Sequence, residues 1–260
     1  MDSKDRGAPF GAGFDAGTTL GATESELAST QGLQATCAQG EPSQSAPGPR
    51  YAIYFVPDSP LGRLGERWLA PDFGPAAAHT ANARRYGFHA TIKAPFRLAS
   101  GRTALHLSQA LAAWAREQQA LAFRLRIDCL DGFLALLPAS ESEAAALSAL
   151  AASAVVQLDP LRAPLRDEER ARRMASGLSA REAQLLERWG YPYVLEAFRF
   201  HCTLSAVVGE SERFALRDLA QRHFDAVLSQ SVVLDELALV CEPAPHEQFV
   251  VLERFRLGAA

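Results

Sequence analysis

The chain has 260 residues, 48% of them hydrophobic, so it is long enough for one large domain or two small ones with a substantial core. Its formal net charge is −4, which argues against binding long nucleic acid, because that affinity comes from many Lys and Arg contacts with the phosphate backbone. No run approaches the roughly 18 consecutive apolar residues of a membrane-spanning helix.

The N-terminus lacks the basic and apolar regions of a secretory signal. The four cysteines are scattered without a C-x-x-C pair, which indicates neither a disulfide framework nor a structural zinc site. We therefore expect a soluble, cytoplasmic protein in a reducing compartment, with no membrane partner.

Residues 1–49 differ in composition from the rest of the chain. They hold eight of the 18 glycines, contain no Val or Ile, and are rich in Ser, Thr, Gln and Pro. Such a segment buries too little apolar surface to offset its ordering entropy, so we predict a disordered N-terminal extension. A regulatory tail and an artefact of the assigned start codon remain alternatives.

From residue 50 onward, apolar periodicity predicts alternating strands and helices. Short apolar or alternating runs bounded by turn residues predict strands at 51–56, 123–129, 133–137, 232–240 and 248–257. Helical spacing predicts helices at 61–69, 103–118, 141–158 and 212–228.

Between these runs, residues 159–193 form an arginine-rich segment. Seven arginines mix with acidic residues, which is typical of a solvated helical connector with salt-bridged faces; a substrate clamp is the alternative. Ser179 and Glu182 form a capping-box pattern that begins a helix through Trp189, and Gly190 ends it.

Two short stretches share one pattern. Residues 86–96 and 198–206 both contain Phe-His-x-Thr-aliphatic-x-Ala, and an aromatic residue lies two positions before each Phe. Both are rich in aromatic and β-branched residues, so both are predicted strands. Side chains alternate along a strand, so each His shares a face with the Thr two residues later.

The element order also occurs twice. His strand, helix, strand and strand follow one another from residue 88 to 137 and again from 200 to 257, and the two His are 112 residues apart (201 − 89 = 112). We predict an α+β fold that is duplicated and two-lobed, with antiparallel sheets, helices on the outside, a pseudo-two-fold axis and a central cleft. Residues 50–257 form one domain, with lobe one at 50–158, the connector at 159–193 and lobe two at 194–257.

Paired imidazoles suit acid–base chemistry on a phosphodiester. An unperturbed His titrates near pH 6.5, so one imidazole of His89 and His201 can take a proton while the other gives one. The hydroxyls of Thr91 and Thr203 can donate to non-bridging phosphoryl oxygens. No Asp or Glu lies in either motif, so we expect no metal and no cofactor.

These residues resemble the two-histidine (2H) phosphoesterase superfamily. The segments beginning at Arg50, Arg84, Gly132, Glu187 and Phe198 are together similar to its phosphonate-metabolism branch, which is encoded beside carbon–phosphorus lyase genes. The resemblance covers residues 50–257. It implies a metal-independent hydrolase acting on a phosphoric ester bond of a small cyclic phosphate or phosphodiester, linked to a sugar or nucleotide.

The catalytic roles of the superfamily carry over to His89, Thr91, His201 and Thr203 only. Cys202 departs from the larger apolar residue expected there, but it points away from the predicted cleft. Around the motifs we add Tyr86, Lys93 and Arg199 as candidates for binding the phosphate. Lys93 and Arg199 lie at even offsets from their own His and so share its face, whereas Tyr86 needs a bulge at Gly87 to do so.

Two other functions remain open from the sequence. One is a non-catalytic module that binds a phosphorylated ligand, and the other is processing or ligation of RNA ends, which would need a basic groove. The sequence leaves open the physiological substrate, the assignment of base and acid, the leaving group and the oligomeric state.

Overall fold

A computed structural model describes residues 48–258, and the predicted disorder of residues 1–49 falls almost wholly outside them. The described strands are β1 (Arg50–Phe55), β2 (Ala90–Phe96), β3 (Leu121–Phe123), β4 (Leu125–Leu130), β5 (Phe133–Pro138), β6 (Cys202–Val207), β7 (Val232–Leu234), β8 (Glu236–Glu242) and β9 (Val250–Arg256). The described α-helices are α1 (Pro60–Leu69), α2 (Ala81–Arg84), α3 (Ala104–Arg116), α4 (Glu141–Leu158), α5 (Asp167–Met174), α6 (Ala180–Trp189) and α7 (Glu210–Leu228).

Seven strands form one sheet in the order β4-β5-β6-β2-β1-β8-β9, and β3 pairs with β7 in a separate ribbon. Every neighbouring pair is antiparallel. The predicted α+β class with antiparallel strands and helices is confirmed. The internal duplication and the lobe boundaries stay predictions.

The sheet mixes strands from the two halves of the chain. The β4–β5 hairpin comes from the first half but pairs with β6 of the second, and β8 of the second half pairs with β1 of the first. Each end of the sheet is therefore built from both halves, and the two His-x-Thr strands, β2 and β6, lie next to each other between those ends.

Helix boundaries follow their local capping residues. Ser140 accepts a hydrogen bond from the backbone N–H of Glu143, whose side chain accepts one from the backbone N–H of Ser140, so α4 begins where the sequence predicts. The same reciprocal pair begins α6, and Gly190 ends it with a φ of 74°, a left-handed conformation that favours glycine.

Two predicted strands are each split into two. The run 123–129 becomes β3 and β4 because residues 121–123 pair with β7, whereas residues from 125 onward pair with β5. The run 232–240 divides in the same way into β7 and β8. Alternation of core-facing side chains continues through the first break, from Phe123 to Leu125, so the sequence pattern does not reveal that change of hydrogen-bonding partner. At the second break the core-facing positions shift by one residue, from Leu234 to Leu237.

The main core lies between one face of the sheet and the packed helices. Alternate residues of β1, β2 and β6 contribute to it: Tyr51, Ile53, Phe55, Ala90, Ile92, Cys202 and Leu204. Ala52 and Tyr54 belong to a smaller cluster on the opposite face. The sheet therefore has one fully covered face and one face that aromatic residues cover in part.

Two features concern the predicted compartment. Cys129 and Cys202 are free thiols, whereas Cys241 is disulfide-bonded, which the scattered spacing of the cysteines did not indicate. One segment of the described residues, Glu141–Leu161, is long and apolar enough to cross a membrane by length and composition alone. It is helix α4 with its C-terminal turn, and the helix packs against β2 and β5.

Candidate active site

The two His-x-Thr motifs meet where β2 and β6 begin. Ala90 pairs with Cys202 across the two strands, and both side chains point into the main core. The residues on either side of this pair therefore point to the opposite face. Extending the antiparallel register by one residue places His89 opposite Thr203 and Thr91 opposite His201, at the roughly 5 Å separation of cross-strand neighbours.

Each imidazole is fixed by the carbonyl two residues before it. Nδ1 of His89 lies 2.9 Å from the carbonyl oxygen of Gly87, and Nδ1 of His201 lies 2.8 Å from that of Arg199. A carbonyl oxygen only accepts, so Nδ1 carries the hydrogen in both rings and Nε2 is the basic atom. Gly87 has a φ of 69°, which favours glycine at this position.

A hydroxyl and a tyrosine ring complete the surroundings of His89. The hydroxyl of Thr91 lies 3.4 Å from Nε2 of His89 and can donate to it. The Tyr54 ring stacks on the imidazole with centroids 3.9 Å apart and 25° between planes. Tyr86 lies 6.1 Å from the imidazole and stacks on Phe249. The Tyr86 side chain therefore lies on the same side of the strand as His89, which is the arrangement that an irregularity at Gly87 was expected to produce.

Burial sets the protonation states of the pair. Burial lowers the pKa of His89 to about 4, the Gly87 carbonyl opposes this in part, and the neighbouring His201 lowers the pKa further. Burial also lowers the pKa of His201, while the Arg199 carbonyl and the charge of Asp131 raise it. Both rings are neutral in the free protein at pH 7, and a carboxylate favours protonation of His201.

Lys93 does not share the face of His89. Tyr54 pairs with Thr91 and Ile53 with Lys93, so Ile92 is an extra residue in β2, and this irregularity turns Lys93 to the side of Ile53. The side chain is 3% exposed, and its Nζ donates to the carbonyl of Val155. Burial lowers its pKa to about 8. The even-offset argument is wrong for Lys93 because it assumed a regular strand.

Arg199 contacts the site through its backbone carbonyl, whereas the sequence predicted that its side chain would bind the phosphate. Its side chain is exposed, and its carbonyl is the group that orients His201. The sequence reasoning missed Tyr54, Asp131 and Phe133, whose ring lies 5.6 Å from that of His201. Alternation along β1 could have indicated the face of Tyr54, but no local pattern indicates which strand lies beside it.

Other histidines have structural contacts. His106 closes the capping box of α3 with Thr103. Nε2 of His223 lies 2.8 Å from the carbonyl of Leu64, in an aromatic cluster. Within residues 48–258, no group of three or more His, Cys, Asp or Glu side chains is arranged to hold a metal ion.

Two curated relatives share 39% identity with the chain. One, from Janthinobacterium sp. (strain Marseille), aligns over 233 residues, 79% of this chain and 50% of the relative. The other, from Laribacter hongkongensis (strain HLHK9), aligns over 215 residues, 77% of this chain and 50% of the relative. Both are named "Ribose 1,5-bisphosphate phosphokinase PhnN". The chain spans about half the length of these relatives.

These names contradict the predicted enzyme class. A phosphokinase is a transferase, so the prediction of a hydrolase acting on phosphoric ester bonds is wrong. The physical reason is that a pair of imidazoles can activate a substrate hydroxyl as well as a water molecule, and the motif does not specify the acceptor. The relatives do support the predicted link to phosphonate metabolism and to a phosphorylated sugar; membership of the two-histidine superfamily stays a prediction.

A match to a protein family covers more than half of the chain. Residues 91–250 match the family described as "Protein of unknown function (DUF1045)", and they include Thr91, His201 and Thr203. The match begins two residues after His89 and ends within β9. The chain therefore belongs to the DUF1045 family.

Proposed function

We propose that this chain transfers a phosphoryl group of a small phosphorylated sugar between oxygen atoms, with His89 and His201 as a general base and a general acid. The observation that carries this proposal is the pairing of Ala90 with Cys202, which sets two His-x-Thr motifs side by side on one face. Packing alone does not require this, because polar groups near a core cost free energy unless they are hydrogen-bonded.

The different surroundings of the two rings support a division of roles. We assign His89 as the base, because its pKa of about 4 keeps it neutral at pH 7. We assign His201 as the acid, because Asp131 favours its protonated form and a bound phosphate would do so further. The base takes the proton of an acceptor hydroxyl, the new P–O bond forms, and the acid protonates the leaving oxygen.

The two threonine hydroxyls and the two imidazoles supply the groups that the proposed reaction needs. Thr91 and Thr203 donate to non-bridging phosphoryl oxygens while the negative charge moves between the attacking and leaving oxygens. In a cyclic phosphate of a sugar the leaving oxygen stays attached to the same molecule, so His201 protonates a hydroxyl of the product while the acceptor hydroxyl forms the new P–O bond. In an acyclic phosphodiester the protonated leaving oxygen departs as an alcohol. We propose this chemistry without a metal, because imidazole and hydroxyl groups perform both proton transfers.

The name of the relatives supports a phosphorylated ribose as the substrate class. It describes proteins twice as long as the matched region, so it does not assign their activity to this half. Many phosphate-transferring enzymes use a G-x-x-x-x-G-K-[ST] loop. The only lysines here are Lys4 and Lys93, and neither follows a glycine. We therefore base the chemistry of this half on its imidazole pair, and the cytoplasmic location stays a prediction.

A phosphorus-detected assay tests the proposal directly. The purified full chain is incubated in excess EDTA with a panel of ribose phosphates and ribose cyclic phosphates, and ³¹P NMR follows every change of ester. We expect turnover by the wild type and a loss of at least about 100-fold in His89→Ala and in His201→Ala, since each acid or base group contributes roughly 10²- to 10⁴-fold.

His79→Ala is the matched control, because it removes an imidazole from a 3₁₀-helix outside the site. It should retain wild-type turnover. Undiminished turnover in either of the two site variants would reject the mechanism. Ligand-induced thermal stabilisation without turnover by any ester in the panel would instead indicate a binding module.

A further inference from the structure

A second feature of the molecule is a cavity rich in arginine, and one of its lining residues, Tyr86, also lies near His89. Its volume is about 570 Å³. We call it the arginine pocket, and it is lined by Arg50, Arg85, Tyr86, Arg97, Arg166, Glu168, Glu169, Arg172, Pro245 and His246. Its residues come from β1, the segment before β2, the segment after β2, α5 with its N-terminal flank, and the loop before β9. Four of the lining residues come from the arginine-rich segment 159–193, for which a substrate clamp is the alternative prediction, and the other six come from elsewhere in the chain.

One buried and one partly buried carboxylate hold the guanidinium groups in place. Glu242 is 1% exposed and accepts hydrogen bonds from Arg50, from Arg85 and from the backbone N–H of His246. Burial opposes its ionisation, but the bonds from the two arginines outweigh burial and lower its pKa. Both of its oxygens are therefore hydrogen-bonded inside the protein, and Glu242 positions Arg50 and Arg85.

The second carboxylate, Glu169, is shared in the same way. Arg97 donates to it at 3.0 Å and Arg173 at 2.8 Å. Nε of Arg97 and Nε of Arg173 are buried and have no hydrogen-bond partner in the described part of the chain. A guanidinium has five N–H donors, and buried polar groups are usually hydrogen-bonded. Arg97 and Arg173 therefore have N–H donors that their bonds to Glu169 do not use.

The remaining arginines leave the pocket strongly positive. Among residues 48–258, neither Arg166 nor Arg172 has a carboxylate within 4.0 Å. Counting Arg173 and Glu242 beside the wall, six guanidiniums face three carboxylates, a surplus of three positive charges in a chain whose formal net charge is −4. Arginine clusters of this kind match the geometry of phosphate oxygens.

Tyr86 joins the pocket to the imidazole pair. The ring lines the arginine pocket and lies 6.1 Å from the ring of His89. The guanidinium of Arg85 lies 5.2 Å from the centroid of the same ring. A ligand that lies across Tyr86 can therefore place one end among the arginines and the other at His89.

We infer that the arginine pocket binds a second phosphate group, so the substrate is a sugar that carries two phosphoryl groups, one held by the arginines while the other reacts at the histidines. The choice of substrate rests on the proposed function. The anion site itself does not, because it depends only on the arginines and their supporting carboxylates.

Binding of inorganic pyrophosphate by isothermal titration calorimetry tests the anion site. The double variant Arg166→Gln/Arg172→Gln removes two guanidiniums that lack carboxylate partners, so it leaves no buried carboxylate unpaired. We expect pyrophosphate to bind the wild-type chain and to bind the double variant about 100-fold more weakly, at roughly tenfold for each charged hydrogen-bonding partner lost.

Two controls separate this inference from the proposed function. Arg63→Gln/Arg116→Gln makes the same change of charge on exposed helical positions and should bind pyrophosphate like the wild type. His89→Gln should also bind it like the wild type while losing turnover. Equal binding by the wild type and the Arg166→Gln/Arg172→Gln variant, or no binding by the wild type at millimolar pyrophosphate, would overturn the inference.

A kinetic comparison tests the substrate assignment. With a bisphosphorylated ribose, the Arg166→Gln/Arg172→Gln variant should show a KM raised about 100-fold and an unchanged kcat, because the pocket binds a group that does not react. With a monophosphorylated ribose, the variant and the wild type should have the same KM. Equal KM values for the two proteins with the bisphosphorylated ribose would overturn the assignment of a second phosphate subsite.

Discussion

Replacing His89 by Gln should remove a specific part of the acid sensitivity of folding. The pKa of His89 falls from 6.5 to about 4 in the folded chain, chiefly through burial. In the unfolded chain the imidazole regains its ordinary pKa, so below pH 6.5 the unfolded state binds a proton that the folded state does not bind. The contribution of His89 to the stability of the wild type is therefore fully present above pH 6.5 and is lost as the pH falls from 6.5 to about 4.

The size of this loss follows from the two pKa values. At pH 5, an imidazole with a pKa of 6.5 is almost fully protonated, whereas one with a pKa of about 4 is mostly neutral, and the difference amounts to about 2 kcal/mol of unfolding free energy. Below pH 4 the loss levels off at roughly 3 kcal/mol. His89→Gln has no proton to bind at this position, so the loss should be absent.

Urea denaturation of both proteins at half-unit steps from pH 7.5 to 4.5 measures the effect. At pH 7.5 the linkage term is zero for both proteins, so their difference there isolates the packing cost of the substitution. The gap between the proteins should then shift by about 2 kcal/mol in favour of His89→Gln on going to pH 5. Parallel stability curves over the whole range would refute the claim that burial keeps His89 neutral.

Three further substitutions test the surroundings of the site. Tyr54→Leu removes the ring stacked on His89 and opens it to water, so the pKa of His89 should rise toward 6.5, as an NMR titration would measure; an unmoved titration would refute the role of Tyr54. Gly65→Ala would place a Cβ 2.1 Å from the Phe88 ring, so unfolding free energy should fall by roughly 1–3 kcal/mol or more in urea melts; wild-type stability would refute this. Trp68→Phe leaves a buried carbonyl of β6 without its 2.7 Å hydrogen bond, so the free energy of unfolding should fall by about 1–3 kcal/mol. An unchanged urea midpoint would refute this.

The elements that the sequence predicts well are those whose causes are local. Ser140 with Glu143 and Ser179 with Glu182 fix helix beginnings within four residues of chain, so both helices begin where the sequence predicts. The alternation along each His-x-Thr stretch is also local, so the sequence itself indicated that Ala90 and Cys202 face away from the histidines.

The long-range pairing of strands was decided only by the tertiary structure. The sequence contains two similar motifs but no signal that β6 lies beside β2, or that hairpin β4–β5 then lies on the far side of β6. That order depends on which apolar faces pack together across the whole chain. The splitting of the predicted strands at 123–129 and 232–240 has the same origin, because the first part of each run pairs with the other run, which is distant in sequence.

For the side chains around the motifs, too, some features follow from the sequence and others only from the tertiary structure. The amino-acid sequence by itself determined the paired imidazoles and hydroxyls, because their types and spacing are fixed by covalent order. Only the tertiary structure decided that Lys93 turns into the core, through one extra residue in β2, and that Asp131 acts on His201. It also gathered the arginine pocket around Glu242 from five separate segments, since charges distant in sequence become neighbours only when the chain folds.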